Sequence, residues 1–356
     1  MVDAVNLNVR DLPDQVESTD VETLLRIGEA IDAAAIQWLN SIGAEPRRLF
    51  VSYATDDYEP GLWVMIRTLR AVSDIPILVL KVGSWTLSHE ADRIATITVP
   101  QIVKSNLQPA PWAPHYHLTI TKLWVFTLLG VQRIVYLDAD CLVLRSIDEL
   151  FDGSGFAAAP DLMVHEQKEF NTGVFAVSPS RDLVRALFAF VPKARSRSGG
   201  EQSILNDFFT QWTPLPVGFN FLRPYGLVLG PILDSRVRVM HYVAGKPWLM
   251  RTHTMTDPHL HPLDDIWIRQ VTDDEYRKLT KAWRQKVEDL EINRRVPPYR
   301  LTPFIEMQEY VRAEVLHAQS MIERQLVGTR RRIYLCVVGS SLLAAAVAVI
   351  LAKLVL

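Results

Sequence analysis

Short apolar runs alternate with amphipathic stretches through the first 250 residues of the chain. Compact runs rich in β-branched residues predict strands, whereas apolar positions recurring every three or four residues predict helices. The predicted strands are Arg48–Thr55, Ile75–Val82, Ile94–Val99, Arg133–Leu137, Phe156–Pro160, Gly173–Val177 and Val237–Tyr242. The predicted helices are Val21–Ile42, Gly61–Ala71, His117–Leu129, Arg181–Phe190 and Glu201–Phe209, with a helical turn at Ser146–Phe151. This alternation indicates an α/β fold with a mainly parallel sheet.

The pattern changes at both ends of this region. Residues 1–20 are polar and are predicted to lack regular structure, as is Leu215–Phe221. Beyond residue 260 two charged helices are predicted, Asp264–Leu290 and Phe304–Leu326. We therefore expect four regions: a tail and packing helix (1–47), a catalytic domain (48–260), a helical cap or stalk (261–328), and a basic flank with an apolar run (329–356).

The apolar run Ile333–Ala352 is twenty residues long and carries no charge. A helix of that length crosses the hydrocarbon core of a bilayer, which predicts a single C-terminal transmembrane helix. Arg330–Arg332 directly precede it, and a basic flank favours the cytosolic side. The catalytic domain is thus expected to face the cytosol. The alternative is that Ile333–Ala352 forms a helix buried in a protein core. At the other end, the N-terminus is acidic and has no apolar run, so no secretory signal is predicted.

Charge and cysteine content narrow the function classes. The chain has 356 residues, with 38 basic and 40 acidic side chains and a formal charge of −2. Nucleic-acid binding needs a basic face, so this balance argues against it. Of the two cysteines, Cys141 follows the acidic pair and Cys336 lies in the C-terminal apolar run, so they are not expected to pair. A chain of this size without disulfides is typical of a reducing compartment.

Candidate chemistry concentrates where the strand Arg133–Leu137 ends. Asp138 and Asp140 follow it directly, and ligands of open α/β sheets bind beyond the carboxyl ends of strands. Two neighbouring carboxylates need a cation or strong hydrogen-bond donors to neutralise them, and oxygen ligands suit Mg²⁺ or Mn²⁺. His241, at the end of an apolar strand, could complete such a site, and Lys246 could hold a phosphate. The alternatives are a chance pair of acids, a core histidine and a surface lysine.

Several stretches together resemble glycosyltransferase family 8, the family that includes the glycogenins. They occur in the family's order over residues 48–250, and each alone is a weak signal. The matching stretches are Phe50–Tyr58, Leu118–Leu123, Val135–Asp140, Ala158–Asp161, Phe170–Phe175, Glu201–Asn206, Leu215-Pro216 with Phe219-Asn220, and His241-Tyr242 with Lys246–Trp248.

The resemblance implies a GT-A nucleotide-sugar-binding fold, a UDP-sugar donor such as UDP-glucose or UDP-galactose, Mn²⁺ or else Mg²⁺, and retaining transfer of a hexose to a hydroxyl acceptor. Carried over by motif, the metal ligands are Asp138, Asp140 and His241. The donor-binding residues are Tyr53, Thr55, Tyr58, Lys122, Asp138, Ala139, Asn171, Gly245 and Lys246. The catalytic positions beside the sugar and acceptor are Asp161, Glu201 and Gln202.

One departure concerns Glu201-Gln202, because many relatives have Asp-Gln at this point. We assign Glu201 a supporting electrostatic role, since retaining transfer through an oxocarbenium-like state needs no covalent nucleophile. Three other functions stay open: a catalytically silent UDP-sugar-binding scaffold, a glycogenin that glucosylates its own Tyr225, and a paired-carboxylate glycoside hydrolase. A homodimer is also left open.

Overall fold

The computed structural model describes residues 5–9, 12–44, 47–87, 93–106, 116–161, 169–196, 200–223, 236–243, 246 and 248. The chain divides into two compact units, Met1–Leu222 with Arg236–His253 and Arg223–Ser235 with Thr254–Leu356. All elements named below belong to the first unit. The predicted helices Asp264–Leu290 and Phe304–Leu326 and the apolar run Ile333–Ala352 lie outside the described residues.

A mixed β-sheet forms the centre of the first unit. Its strands run in the spatial order β1-β5-β4-β3-β7-β10-β9-β11. Pairing from β1 to β7 is parallel, whereas β10 is antiparallel to both β7 and β9. The bounds are β1 Val5–Leu7, β2 Gln15–Glu17, β3 Arg48–Ala54, β4 Ile77–Lys81, β5 Ile94–Thr98, β6 Gln101–Val103, β7 Arg133–Leu137, β8 Cys141–Val143, β9 Phe156–Pro160, β10 Phe170–Val177, β11 Thr213–Pro214, β12 Phe221–Leu222 and β13 Val239–His241.

Two of the α-helices begin at a polar side chain that accepts a hydrogen bond from a backbone N–H of the first turn. The Asp20 carboxylate accepts a hydrogen bond from the Thr23 N–H at 3.1 Å, and the Ser180 hydroxyl accepts one from the Leu183 N–H at 3.2 Å. The helices are α1 Val21–Ser41, α2 Glu59–Arg70, α3 Arg181–Phe190 and α4 Glu201–Phe208, with 3₁₀ segments at Asp56–Tyr58, Tyr116–Thr127, Asp148–Asp152 and Val217–Phe219.

The alternation of side chains along β3 divides the core into two layers. Leu49, Val51 and Tyr53 pack in the same cluster as the buried face of α1. Phe50 and Ala54 point the other way and pack with α2. Because successive residues of a strand face opposite sides of a sheet, one buried strand supplies both layers. Helices therefore cover both faces of the sheet, as the sequence predicts for an α/β fold.

A second, smaller sheet stands beyond the end of β7. It has the order β12-β13-β8, and β13 is antiparallel to β8 with His241 opposite Cys141. The Asp138 carbonyl accepts a hydrogen bond from the Cys141 N–H at 3.1 Å, so the chain turns tightly between β7 and β8. This pairing brings a histidine from late in the sequence to the two aspartates that follow β7.

Three sequence-based expectations were wrong. Leu215–Phe221 was expected to lack regular structure but contains the 3₁₀ segment Val217–Phe219 and the first residue of β12. Residues 1–20 are not irregular throughout, because β1 pairs with β5 and β2 pairs with β6, both in parallel. The predicted α-helix His117–Leu129 is a 3₁₀ segment, Tyr116–Thr127. The Thr119 and Thr127 hydroxyls donate to carbonyls three residues earlier, at 2.6 and 2.8 Å, and such side-chain bonds compete with α-helical pairing.

Within the part of the chain that the structure describes, no helix has the length and apolar character needed to cross a membrane. The longest helix there, α1, has a buried apolar face and an exposed polar one.

Candidate active site

The turn after β7 fixes the two aspartates by backbone and side-chain hydrogen bonds. The Asp138 N–H donates to the Gly173 carbonyl of β10 at 2.8 Å, and the Tyr136 hydroxyl donates to Asp138 Oδ1 at 2.7 Å. Asp140 is buried, whereas the Asp138 side chain is 18% exposed. Burial raises the pKa of Asp138 above its ordinary value. Asp138 therefore lies at the boundary between the core and solvent, where a ligand can reach it.

His241 directs one ring nitrogen at both carboxylates. Its Nε2 lies 3.2 Å from Asp140 Oδ1 and 3.7 Å from Asp138 Oδ2. Its Nδ1 lies 3.0 Å from Asn220 Oδ1. Because that amide oxygen can only accept, Nδ1 carries a hydrogen, and Nε2 is the ring nitrogen that faces the two carboxylates and is available to a cation once it is deprotonated. Carboxylate oxygens of Asp138 and Asp140 and a ring nitrogen of His241 thus converge. A bound cation would stabilise this arrangement.

The donor set around His241 fits a hard divalent cation. Among the described residues, Asp140, Cys141 and His241 form one group whose ligand atoms all lie within 4.8 Å of one another. Burial raises the pKa of the Cys141 thiol well above its ordinary value, and Sγ lies 3.7 Å from the Gly173 carbonyl. A hard divalent cation prefers oxygen and imidazole ligands to a thiol, so the carboxylates and the imidazole are the expected ligands. Sequence reasoning did not include Cys141 in the site, although it directly follows Asp140, and the register of β8 with β13 places it opposite His241.

Lys122 joins Asp138 to Glu201 in a buried ion-pair network. Its Nζ lies 2.7 Å from Asp138 Oδ1 and 2.7 Å from Glu201 Oε1. Although burial alone would lower the pKa of Lys122, the two carboxylates raise it well above its ordinary value. Burial alone would raise the pKa of Glu201, but Lys122 overcomes this effect and holds it below its ordinary value. A fixed cation and a fixed carboxylate therefore adjoin the aspartates.

Lys246 is the second cation of the site, with a side chain that is 13% exposed. It pairs with Asp140 Oδ2, and its Nζ donates to the Tyr242 carbonyl at 2.7 Å. Lys246 and His241 lower the pKa of Asp140 far below its ordinary value, against the opposing effect of burial. The ammonium also lies 5.5 Å from the centre of the Tyr58 ring, and Tyr58 meets Trp248 edge-on at 5.8 Å. Burial raises the pKa of Tyr58 to about 12, so its hydroxyl stays protonated.

A set of amide and hydroxyl groups connects β10 with α4. The Asn171 and Gln202 amides both donate to Asp161 Oδ2, at 3.2 and 3.0 Å. The Thr172 hydroxyl donates to Glu201 Oε1 at 2.9 Å. These contacts place the predicted catalytic residues Asp161, Glu201 and Gln202 in one polar cluster beside Lys122.

The remaining residues predicted to bind the sugar donor, Tyr53, Thr55, Ala139 and Gly245, differ in where they lie. Tyr53 is buried in the core and its hydroxyl donates to the Leu118 carbonyl at 3.2 Å, so it packs the sheet. Thr55 donates to Asp57 ahead of the 3₁₀ segment that carries Tyr58. Ala139 is buried between the two aspartates, and Gly245 lies outside the described residues.

Position 173 must be a glycine because the His241 imidazole packs directly against it. A Cβ atom at this position would lie 2.2 Å from His241 Nδ1 and Cε1. No side chain fits at that distance, so the backbone of β10 forms one wall of the histidine's pocket. The sequence motif Asn171-Thr172-Gly173 thus supplies the amide, the hydroxyl and the space that the site uses.

No protein-family model matches the chain. Glycogenin-1 of Caenorhabditis elegans is 28% identical over 240 residues, which cover 62% of this chain and 56% of that protein. UDP-glucuronate:xylan alpha-glucuronosyltransferase 1 of Arabidopsis thaliana is 29% identical over 170 residues, 44% of this chain and 24% of the plant protein. The chain is similar to glycosyltransferases.

A solved glycosyltransferase also shares the fold. The bifunctional glycosyltransferase WbbM superimposes with a TM-score of 0.51 at 15% identity, over 67% of this chain and 52% of WbbM. This likeness supports the mixed α/β fold and carries no information on substrate. The chain spans about half the length, or less, of the two glycosyltransferases that it matches in sequence.

Proposed function

We propose that the first unit is a metal-dependent hexosyltransferase that uses a UDP-sugar. The observation that carries this proposal is the convergence of Asp138, Asp140 and His241 at the end of β7, flanked by the buried Lys122 and the partly buried Lys246. Similarity to a relative named for UDP-glucuronate supports a UDP-sugar donor. Similarity to a glycogenin supports transfer to a hydroxyl group, and the expected GT-A arrangement agrees with the mixed sheet.

Asp138, Asp140 and His241 would hold the divalent ion, Mn²⁺ or alternatively Mg²⁺. An ion held there would supply positive charge opposite the departing diphosphate. Lys246 carries a second positive charge at the same place and binds a phosphate oxygen. Asp138 also offers an oxygen to the ribose, and Tyr58 and Thr55 lie on the side expected to receive the uracil.

Lys122 and Glu201 act at the reacting carbon. As the bond from the anomeric carbon to the diphosphate oxygen breaks, positive charge develops on the sugar ring. The Glu201 carboxylate, fixed by Lys122 and Thr172, stabilises that charge without forming a bond. The acceptor oxygen bonds to the same face of the carbon and its proton leaves with UDP, so the configuration is retained. Asp161, Asn171 and Gln202 bind hydroxyl groups of the sugar and acceptor.

The direct test is release of UDP by the purified full-length protein in detergent. A panel of UDP-glucose, UDP-galactose and UDP-glucuronate is assayed with Mn²⁺, with Mg²⁺ and with a chelator, over several hydroxyl acceptors. We expect one donor to be consumed in a metal-dependent reaction, with the product identified by mass. UDP binding without turnover of any donor would instead support the silent scaffold and overturn the enzyme.

Replacing Lys246 by methionine is expected to change metal and nucleotide affinity in opposite directions. The ammonium and a metal ion compete for the Asp140 carboxylate, so the variant should bind Mn²⁺ alone several-fold more tightly. It should bind UDP about 10- to 100-fold more weakly, because a charge-assisted hydrogen bond to phosphate is lost. Calorimetry of each ligand separately measures both changes. A loss of both affinities would show that Lys246 has a structural role only.

We further propose that Ile333–Ala352 anchors the protein in a membrane with the first unit on the cytosolic side. Extraction of membranes from expressing cells with alkaline carbonate tests this. The full-length protein should stay in the pellet and a chain truncated after residue 328 should not. Release of both into the supernatant would contradict the anchor.

A further inference from the structure

Asn220 is a buried amide beside the metal-binding histidine. It lies between the 3₁₀ segment Val217–Phe219 and β12, and its N–H donates to the Val217 carbonyl at 3.1 Å. The side chain is 1% exposed and points into the site. Buried amides are stable only when their hydrogen bonds are satisfied. The partners of this amide therefore indicate what it does.

The hydrogen bonds of Asn220 form a chain that runs in one direction. His241 Nδ1–H donates to Asn220 Oδ1 at 3.0 Å, and Asn220 Nδ2 donates to Asn171 Oδ1 at 2.8 Å. Asn171 Nδ2 then donates to Asp161 Oδ2 at 3.2 Å. Asn220 Oδ1 accepts from the imidazole, and Asn171 Oδ1 accepts both from Asn220 Nδ2 and from the Gly173 N–H, the latter at 2.9 Å, while each amide nitrogen donates to the next group. The chain starts at the His241 imidazole and ends on the Asp161 carboxylate. Rotating one amide by 180° would place two donors or two acceptors against each other.

The direction of this chain determines which nitrogen of His241 is available to a metal. With the hydrogen held on Nδ1, the lone pair of the neutral ring lies on Nε2, which faces Asp138 and Asp140. Gly173 lies against the ring at Nδ1 and Cε1 and limits its rotation. Hydrogen bonds from the second ring nitrogen commonly orient metal-binding histidines in this way.

We propose that Asn220 is a positioning residue that fixes the tautomer and orientation of His241 for the divalent ion. Through Asn171 it also connects the metal-binding residues with the expected sugar-binding residues. This inference rests on the proposed function for the identity of the ion. The tautomer is a property of the protein alone.

Two substitutions and a matched control distinguish a positioning role of Asn220 from a contribution to the stability of the fold alone. Asn220→Leu removes both hydrogen bonds while keeping a similar volume. Asn220→Asp keeps an oxygen acceptor for Nδ1–H. Asn206→Leu is the control, because the Asn206 amide also bridges two elements, accepting from the Phe170 N–H at 2.8 Å and donating to the Phe170 carbonyl at 2.9 Å, but does not contact His241.

The first measurement is the ¹⁵N spectrum of histidine-labelled protein treated with chelator, in which His241 is assigned by its loss in His241→Ala. We expect a hydrogen on Nδ1 in the wild type, in Asn220→Asp and in Asn206→Leu, and a shift toward the other tautomer in Asn220→Leu. An unchanged tautomer in Asn220→Leu would overturn the proposal. If Asn220→Leu does not fold, loss of the Nδ1–H tautomer in Asn220→Asp would overturn it in the same way.

The second measurement is Mn²⁺ affinity without nucleotide. We expect a loss of about 10- to 100-fold in Asn220→Leu, substantial recovery in Asn220→Asp, and no change in Asn206→Leu. An equal loss in Asn206→Leu would show that general destabilisation is the cause and would overturn the proposal. Because the spectrum is recorded without metal or donor, the positioning role can fail while UDP release succeeds, or hold while UDP release fails.

Discussion

Replacing Asp140 by asparagine is expected to reduce the rate of UDP release by at least ~10³-fold, because removal of a metal ligand forfeits several kcal/mol of charge stabilisation in the transition state. Asp140 is buried, lies 3.2 Å from His241 Nε2 and pairs with Lys246. Asparagine keeps the shape of the side chain but supplies no negative charge, so both the ion and Lys246 lose their counter-charge. Initial rates over a range of Mn²⁺ concentrations measure the effect.

Asp152→Asn is the matched control for this substitution. Asp152 is 68% exposed at its side chain and pairs with Arg48 on the surface at 3.2 Å. An exposed pair of this kind contributes little, so the control should keep wild-type turnover. Thermal unfolding of both variants shows whether the fold is kept. Wild-type turnover in a folded Asp140→Asn protein would remove Asp140 from the metal site.

Replacing Lys122 by methionine is expected to lower the free energy of unfolding by about 3–5 kcal/mol, since it leaves buried carboxylates without their cation. The ammonium lies 2.7 Å from both Asp138 and Glu201, and the Lys122 and Glu201 side chains are 8% and 4% exposed. Denaturant unfolding at neutral pH measures the loss. Arg181→Met, which breaks an exposed pair with Glu29, is the control and should change stability by less than about 1 kcal/mol.

The cost of Lys122→Met should depend on pH with a defined sign. In the wild type Lys122 holds the pKa of Glu201 below its ordinary value of 4.5. A carboxyl group with a lowered pKa adds stability above its unfolded pKa, and this stability is lost as the pH falls through the folded pKa. The variant lacks that contribution. The difference between the two proteins should therefore be largest at neutral pH and shrink as the pH falls below 4.5. A difference that stays constant would show that packing is the cause.

Most strands of the central sheet were predicted because each is a compact apolar run that can be recognised from neighbouring residues alone. β3, β4, β5, β7 and β9 were predicted within two residues of their observed bounds, since each is an apolar run between polar segments. Asp138 and Asp140 were recognised because they directly follow such a run. Local sequence carries this information.

The elements that complete the site are short or depend on distant partners. β8 was missed because its three residues are too few to show a period of two. β13 was predicted within Val237–Tyr242, but its pairing with β8, which brings His241 to Asp140, was not. β1 and β2 were missed for the same reason as β8. Lys122 and Glu201 are 79 residues apart, and their contact depends on the packing of α4 against the 3₁₀ segment Tyr116–Thr127.

Asn220 shows the same limit at the level of a single side chain. It was part of a matched motif, but no periodicity or spacing indicates that its oxygen faces His241 Nδ1. Hydrogen-bond direction follows from three-dimensional placement, as it does for Asn171 and Gln202 around Asp161. Residue types could therefore be predicted at this site, whereas their pairing could not.

Equilibrium binding of Mn²⁺ in the presence of saturating UDP, followed by the electron paramagnetic resonance signal of the free ion, tests the central claim most directly. The proposal predicts one Mn²⁺ per chain in the wild type and binding weakened by at least ~100-fold in Asp140→Asn and in His241→Ala. Absence of Mn²⁺ binding by the folded wild-type protein, or equal affinity in all three proteins, would contradict it.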